Sequence, residues 1–371
     1  MRVKLEEVCE ILDSKRIPIT AKDRTKGPYP YYGANGIQDY VSDYIFDDEL
    51  VLLAEDGGNF GSKERPIAYR VSGKCWVNNH AHVLKAKENI DVDYLCYSIM
   101  FYDVSNLVNG ATRQKLTQAD MRKMVIPLPP LPEQRRIAAV LDKVSELIAL
   151  RKKQLALLDE MVKARFVEMF GDPVRNEKGW DTIPLEKLCL SIVDCPHSTP
   201  NYTNINTGYM CIRTSIVKKN SIQWDKIEYI SKDEYHDRIK RKKPTTGDII
   251  YTREGAILGI AAIIDKEYNV ALGQRSMLLS PNLLLCHPQF ICNAMNFDSF
   301  FNRVTQGVSG SASPHINVAD IKAFSIILPP LQPQTQFADF VQQVEKSKAT
   351  IQQGLEKLEL LKSALMQEYF G

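Results

Sequence analysis

What this chain lacks narrows it first. No run of eighteen apolar residues occurs, so no membrane-spanning helix is expected. The amino terminus, Met1-Arg-Val-Lys-Leu-Glu-Glu7, is no secretory signal, and a cytoplasmic setting is the expectation. Eight cysteines, at positions 9, 75, 96, 189, 195, 211, 286 and 292, form no Cys-x-x-Cys pair; they read as reduced thiols, not a zinc or disulfide framework. A phosphate loop of the Gly-x-x-x-x-Gly-Lys-Ser/Thr kind is missing, which excludes that type of nucleotide-driven motor. The Asn/Asp-Pro-Pro-aromatic turn of an amino-methyltransferase is missing too, since Pro129-Pro130 and Pro329-Pro330 are flanked by leucines. No Glu-x-Lys supplies a metal-dependent nuclease site. Asp320-Ile321-Lys322 and its repeat counterpart Asp120-Met121-Arg122 read as helix-start or turn acids. His80-x-His82 places two imidazoles on one strand face without a further His or Cys cluster nearby, so a polar pair is expected rather than metal ligands. With no Ser/His/Asp arrangement to be picked out either, the chain reads as a binder, and no metal site is expected.

A large excess of one charge is also absent. The net charge is only +2 over 371 residues, and it does not by itself announce nucleic acid. The basic runs are local, at Arg151-Lys152-Lys153, Lys218-Lys219 and Arg238 to Lys243.

What is present is one long helix used twice. Leu-Pro-Pro-Leu closes a segment at 128–131 and again at 328–331, because proline removes a backbone donor and pushes its predecessor out of the helical region. A seam of period 3.5 follows each time. In the first copy it runs Ile137, Leu141, Val144, Ile148, Arg151, Leu155, Leu158, Val162, Arg165, Met169. In the second it runs Phe337, Val341, Val344, Lys348, Ile351, Leu355, Leu358, Lys362, Leu365, Tyr369. Each helix would be roughly 55–60 Å long at 1.5 Å per residue, too long for one domain's core to cover, so the two are expected to pack on each other. The seam cations Arg151, Arg165, Lys348 and Lys362 read as snorkelling at its edge. Phosphates or an acidic partner surface are the alternative contact.

The repeat extends beyond the helices. A shift of 200 residues carries Gly110–Gly171 onto Gly310–Gly371 without a gap, and a shift of 180 carries Val3–Cys9 onto Ile183–Cys189. The second copy thus holds about twenty extra residues before its helix. Strands are expected at Tyr44–Ala54, Trp76–Lys85 and Ile249–Thr252, and helices at Asp93–Phe101 and Pro288–Phe301. Glu55-Asp-Gly-Gly58 and Arg253-Glu-Gly-Ala256 read as turns, and Gly171–Gly179 as the linker between halves.

A DNA reader needs forked donors and acceptors on loops held by rigid domains. The first half offers Asn59, Lys63, Arg65, Asn78, His80, Arg113 and Lys115; the second offers Arg213, Lys218, Arg253, Gln274, Arg275, Ser309 and His315. Tyr29, Tyr31 and Tyr32 suit either base stacking or core packing.

The Leu-Pro-Pro-Leu-Pro-Glu-Gln-Arg-Arg-Ile helix start, the Glu168-Met-Phe-Gly-Asp-Pro173 exit with Lys178-Gly-Trp180, and the half-chain duplication resemble the specificity (S) subunit of type I restriction-modification enzymes. Tyr32-Gly-Ala-Asn-Gly-Ile37 and Asp194-Cys-Pro-His-Ser-Thr-Pro200 look like turns of its recognition domains, with Cys195 where glycine is more usual. The resemblance implies an α+β fold: two pseudo-twofold-related α/β target recognition domains (1–127 and 172–327) separated by two long antiparallel coiled-coil helices (128–171 and 328–371). Each recognition domain would read half of a bipartite, asymmetric double-stranded DNA site. The helices would set the spacer and dock two methyltransferase (M) subunits, which bring S-adenosylmethionine, while restriction (R) subunits bring ATP and Mg. The chain itself would carry no catalytic residue and need no cofactor. Two alternatives stay open: a coiled-coil scaffold that binds proteins only, and a target-recognition partner of another DNA-modification or phage-defence system without a restriction subunit.

Overall fold

The computed structural model describes residues 1–110, 114–306 and 314–371. The chain folds as two compact units, one formed by Met1–Lys153 with Gln352–Gly371 and the other by Gln154–Ile351. Both mix helices and sheets, as α+β proteins do.

In the first unit a six-stranded sheet has the order Cys9–Ile11, Ala81–Ala86, Phe46–Ala54, Ala68–Val77, Lys26–Gly33, Gly36–Val41. Leu50 to Ala54 are all buried, because both faces of this central strand are covered. Val51 and Leu53 face a core shared with Leu5, Tyr94, Leu95, Ile137 and Leu141, while Leu50 and Leu52 face a second cluster with Val71 and Val83. The second unit repeats this plan with smaller sheets. One runs Cys189–Asp194, Ser276–Pro281, Ile249–Thr252, Ala261–Ile263, and the other Glu228–Tyr229, Met210–Ile212, Val270–Leu272. Ile249 and Tyr251 enter one core there and Ile250 the other.

The two long helices span Leu131–Phe170 and Leu331–Phe370, 40 residues each. They run antiparallel. In the first unit Ile137 and Leu141 pack in one cluster with Leu365, Met366 and Tyr369. In the second, Phe166 and Phe170 pack with Phe337 and Val341. Of the twenty expected seam residues only Arg151 is exposed. Lys348 reaches Asp159 on the facing helix at 2.8 Å, and Lys152 beside the seam reaches Glu359 at the same distance.

Each helix start is pinned in the same way. The strand before Pro-Pro pairs antiparallel with the first strand of its repeat, Val125–Pro127 with Arg2–Lys4 and Ser325–Ile327 with Thr182–Pro184. Buried Gln134 then donates to the Pro129 carbonyl at 2.8 Å and accepts from the Asp91 amide at 2.8 Å. Gln334 makes the same two bonds, to Pro329 and from His287, both at 2.8 Å. Asp91 and His287 are the N-caps of the helices Val92–Met100 and Pro288–Asn296. The exit of the first long helix is capped by its own motif. Gly171 takes φ +77°, Trp180 donates its indole N–H to the Phe170 carbonyl at 3.0 Å, and the Lys178 ammonium bonds the Glu168 and Met169 carbonyls.

Two expected elements differ. Trp76–Lys85 is two strands, Ala68–Val77 and Ala81–Ala86, broken where the Asn78 side chain accepts from the His80 amide at 2.8 Å. Pro288–Phe301 is two helices, Pro288–Asn296 and Asp298–Thr305, parted at Phe297, whose backbone is extended. The eight cysteines are free and seven are buried; burial pushes the thiols of Cys9, Cys75 and Cys96 up to about 12. Tyr31 is buried in the core at 1% exposure. Among the described residues no helix is long and apolar enough to cross a membrane.

Candidate nucleic-acid interface

In the first unit, turns from distant parts of the sequence meet at one end of the sheet. The Asn35 amide of the Tyr32–Ile37 hairpin donates to the Gly57 carbonyl at 3.0 Å. His80 lies 2.8 Å from Asp56, Asp56 bridges to Lys115, and the Leu116 amide donates to the Glu55 carbonyl at 2.7 Å. Beneath them lies a network of charges. Glu55 accepts from Arg16 at 2.6 Å and Lys115 at 2.9 Å. His82 lies between Asp13, 2.6 Å from Nδ1, and the Leu116 carbonyl, 2.9 Å from Nε2. Burial raises the Asp13 carboxyl, but bonds from His82 and the Val83 amide outweigh it and hold Asp13 below its usual value. Burial is likewise outweighed at Glu55 by Arg16 and Lys115. Ligand atoms of Asp13, Glu55 and His82 lie within 4.8 Å of one another, as a metal would require. Arg16 and Lys115 already supply the cations, and both His82 nitrogens are engaged, so the cluster reads as an internal ion-pair network.

The second unit closes the same way with the charges reversed. The Ile316 amide donates to the Arg253 carbonyl at 2.9 Å, and Glu254 bridges to His315. Where Glu55 is an acid held by Arg16, Arg253 is a base held by Asp194 through two bonds of 3.0 and 3.2 Å. His197 lies 3.1 Å from the same carboxylate. Gln274 accepts from Thr199 at 3.1 Å. Cys195 is buried, accepts from the Ser276 amide at 3.3 Å, and is not among the positive-φ residues, so its position does not need glycine.

Three described non-glycine residues have positive φ. Asn176 and Asn220 belong to the residue type that tolerates it; Arg275, at +70°, does not, and costs about 1 kcal/mol there. Its turn, Gly273-Gln274-Arg275, carries the chain from the strand Val270–Leu272 to the strand Ser276–Pro281 of the other sheet.

The structure thus brings His80 and Lys115 together in one unit, and Arg253, Gln274, Arg275 and His315 in the other. Asn59, Lys63 and Arg65 follow Gly58 on one loop; Lys63 and Arg65 are exposed, and the Asn59 amide donates to the Pro66 carbonyl at 3.4 Å. Asn78 is 3% exposed and its amide is used on Gln38, so it braces the hairpin. Arg253, 6% exposed, braces its turn in the same sense. Arg213 stacks 3.8 Å over Tyr202 and pairs with Glu228 at 2.9 Å. Lys218 stands apart on the Val217–Ile222 hairpin and donates to the Ser215 carbonyl. Arg113 and Ser309 lie outside the described residues. Sequence reasoning missed Asp13 and Arg16, and the bracing role of Asp194, because these residues lie 39 to 69 residues from their partners.

The family described as the type I restriction modification DNA specificity domain matches residues 1–160 and 177–360. A putative type I restriction enzyme specificity subunit from Haemophilus influenzae is 27% identical, covering 99% of this chain and 92% of that protein. The EcoKI specificity subunit of Escherichia coli is 23% identical over 80% of this chain and 68% of its own. A solved type I restriction-modification S subunit from M. genitalium shares the fold, with a TM-score of 0.62 at 12% identity, covering 100% of this chain and 96% of that one. A second solved chain, from a study of complex assembly and conformational transition in a type I R-M system, has a TM-score of 0.55 at 18% identity, covering 100% and 97%. The two matched stretches, one in each half of a duplicated chain, together span most of its length: the chain belongs to the type I restriction-modification specificity subunits.

Proposed function

We propose that each unit reads one half of a bipartite, asymmetric double-stranded DNA site, and that the chain carries recognition without catalysis. The observation that carries this reading is one scaffold with two loop chemistries. The same backbone bond closes both units, Leu116 to Glu55 and Ile316 to Arg253, yet one presents His80 and Lys115 and the other Arg275 and His315. Unlike readers suit a non-palindromic site, whereas identical ones would mirror their half-sites. Methyl transfer would come from M subunits carrying S-adenosylmethionine, and cleavage from R subunits using ATP and Mg, in the cytoplasm. Leu150, Leu157, Leu360 and Leu361 on the long helices are exposed, which suits docking of partner helices. The same exposure favours the second reading, a protein-binding scaffold.

Mapping methylated adenines in DNA from cells expressing the chain with its M subunit tests the proposal. A split motif with two unlike halves is expected, together with a steep fall of DNA affinity with salt. Methylation without a defined motif, or salt-independent binding, would overturn it in favour of the scaffold.

A further inference from the structure

Resting on that reading, we infer that Arg275 is a specificity-determining residue of the second unit and reads a guanine. An arginine is a poor choice for a left-handed position, and this one is placed there by its neighbours. The turn is fixed on one side at Gly273, whose amide donates to the Ile212 carbonyl at 2.9 Å. A Cβ on that glycine would come within 2.6 Å of the Tyr202 hydroxyl and 2.9 Å of the Ile212 carbonyl, so no larger residue fits. On the other side the Arg275 carbonyl accepts from the Arg253 amide at 3.0 Å, and Arg253 is itself clamped by Asp194. Arg275 is exposed, and its guanidinium lies across the turn of Gly255, where a Cβ would meet Nη1 at 3.2 Å.

The arginines around it are engaged: Arg253 by Asp194 and Glu254, Arg238 by Glu234, Arg213 by Glu228. The Arg275 side chain makes no hydrogen bond or ion pair with a described residue. A strained backbone that displays a fork without a partner among the described residues, on a turn braced at both ends, is arranged for an external acceptor pair. The guanine O6 and N7 edge in the major groove is the acceptor pair that an arginine fork matches best.

Arg275→Gly tests this without disturbing the turn, because glycine takes the left-handed region freely. In the complex of the full chain with its M subunits, methylation mapping should then show one G·C position in one half-site relaxed by roughly ten- to hundredfold, with the other half unchanged. Arg275→Lys should keep a reduced preference for guanine at that position. The thermal midpoint of Arg275→Gly should match or exceed that of the parent. An unchanged motif, or a uniform loss at all sequences with a salt slope lower by about one, would overturn the inference, the latter marking a phosphate contact. If the parent complex itself showed no split motif, the proposed function would fail as well, and so the two failures are distinguishable.

Discussion

Asp13 and Glu55 carry the pH dependence of the first unit. Burial works against their charged forms, but His82, Arg16 and Lys115 win, so both titrate below their ordinary values. The unfolded chain, with carboxylates near about 4, therefore takes up protons before the folded one does. The stability these groups contribute is complete above about pH 5 and is lost as pH falls through their native values. Asp13→Asn should lower stability at pH 7, because His82 loses its anionic acceptor, and should flatten the acid limb. Urea midpoints from pH 7 to 3 measure both, and an acid limb as steep as the parent's would remove Asp13 from the account. The opposite charges of Glu55 and Arg253 are plain in the sequence, but their bracing was not legible there, because it depends on the distant partners Arg16 and Asp194, which hold each beneath its loop.

Among the elements, the long helices were the most legible, because a seam of ten positions repeated twice is a signal that burial follows directly. Head strands were less so. Trp76–Lys85 looked alternating, yet Ala81 to Leu84 are all buried and a turn at Asn78 intervenes. That turn depends on an amide reaching Gln38, forty residues away. Gln134 and Gln334 were visible as a repeated pair, but their task was hidden, since it is defined by carbonyls at Pro129 and Pro329 and by the capped helices beyond. Gln334 is 0% exposed. Gln334→Ala would leave the Pro329 carbonyl and the His287 amide unsatisfied, at a cost of about 1–3 kcal/mol. Denaturant unfolding is the check, and an unchanged midpoint would remove Gln334 from the account.

At the scale of the molecule, each long helix runs unbroken through both compact units. If the pair sets the spacing of the two half-sites, four residues inserted into each helix add about 6 Å at 1.5 Å per residue. The preferred spacer should then lengthen by about one or two base pairs, at 3.4 Å each, in methylation mapping; an unchanged spacer would end the ruler role. The division of the chain has a further consequence, for the order of assembly on the ribosome. The second unit is one continuous segment, whole in sequence once Ile351 has been added, although it comes later in the chain. The first unit, begun at Met1, has the apolar surface around Ile137 and Leu141 still waiting for Leu365, Met366 and Tyr369. Domains that are synthesised first ordinarily fold first. Here the earlier-made unit is the later to close, and for the duration of about two hundred further residues its open flank is what a chaperone would meet.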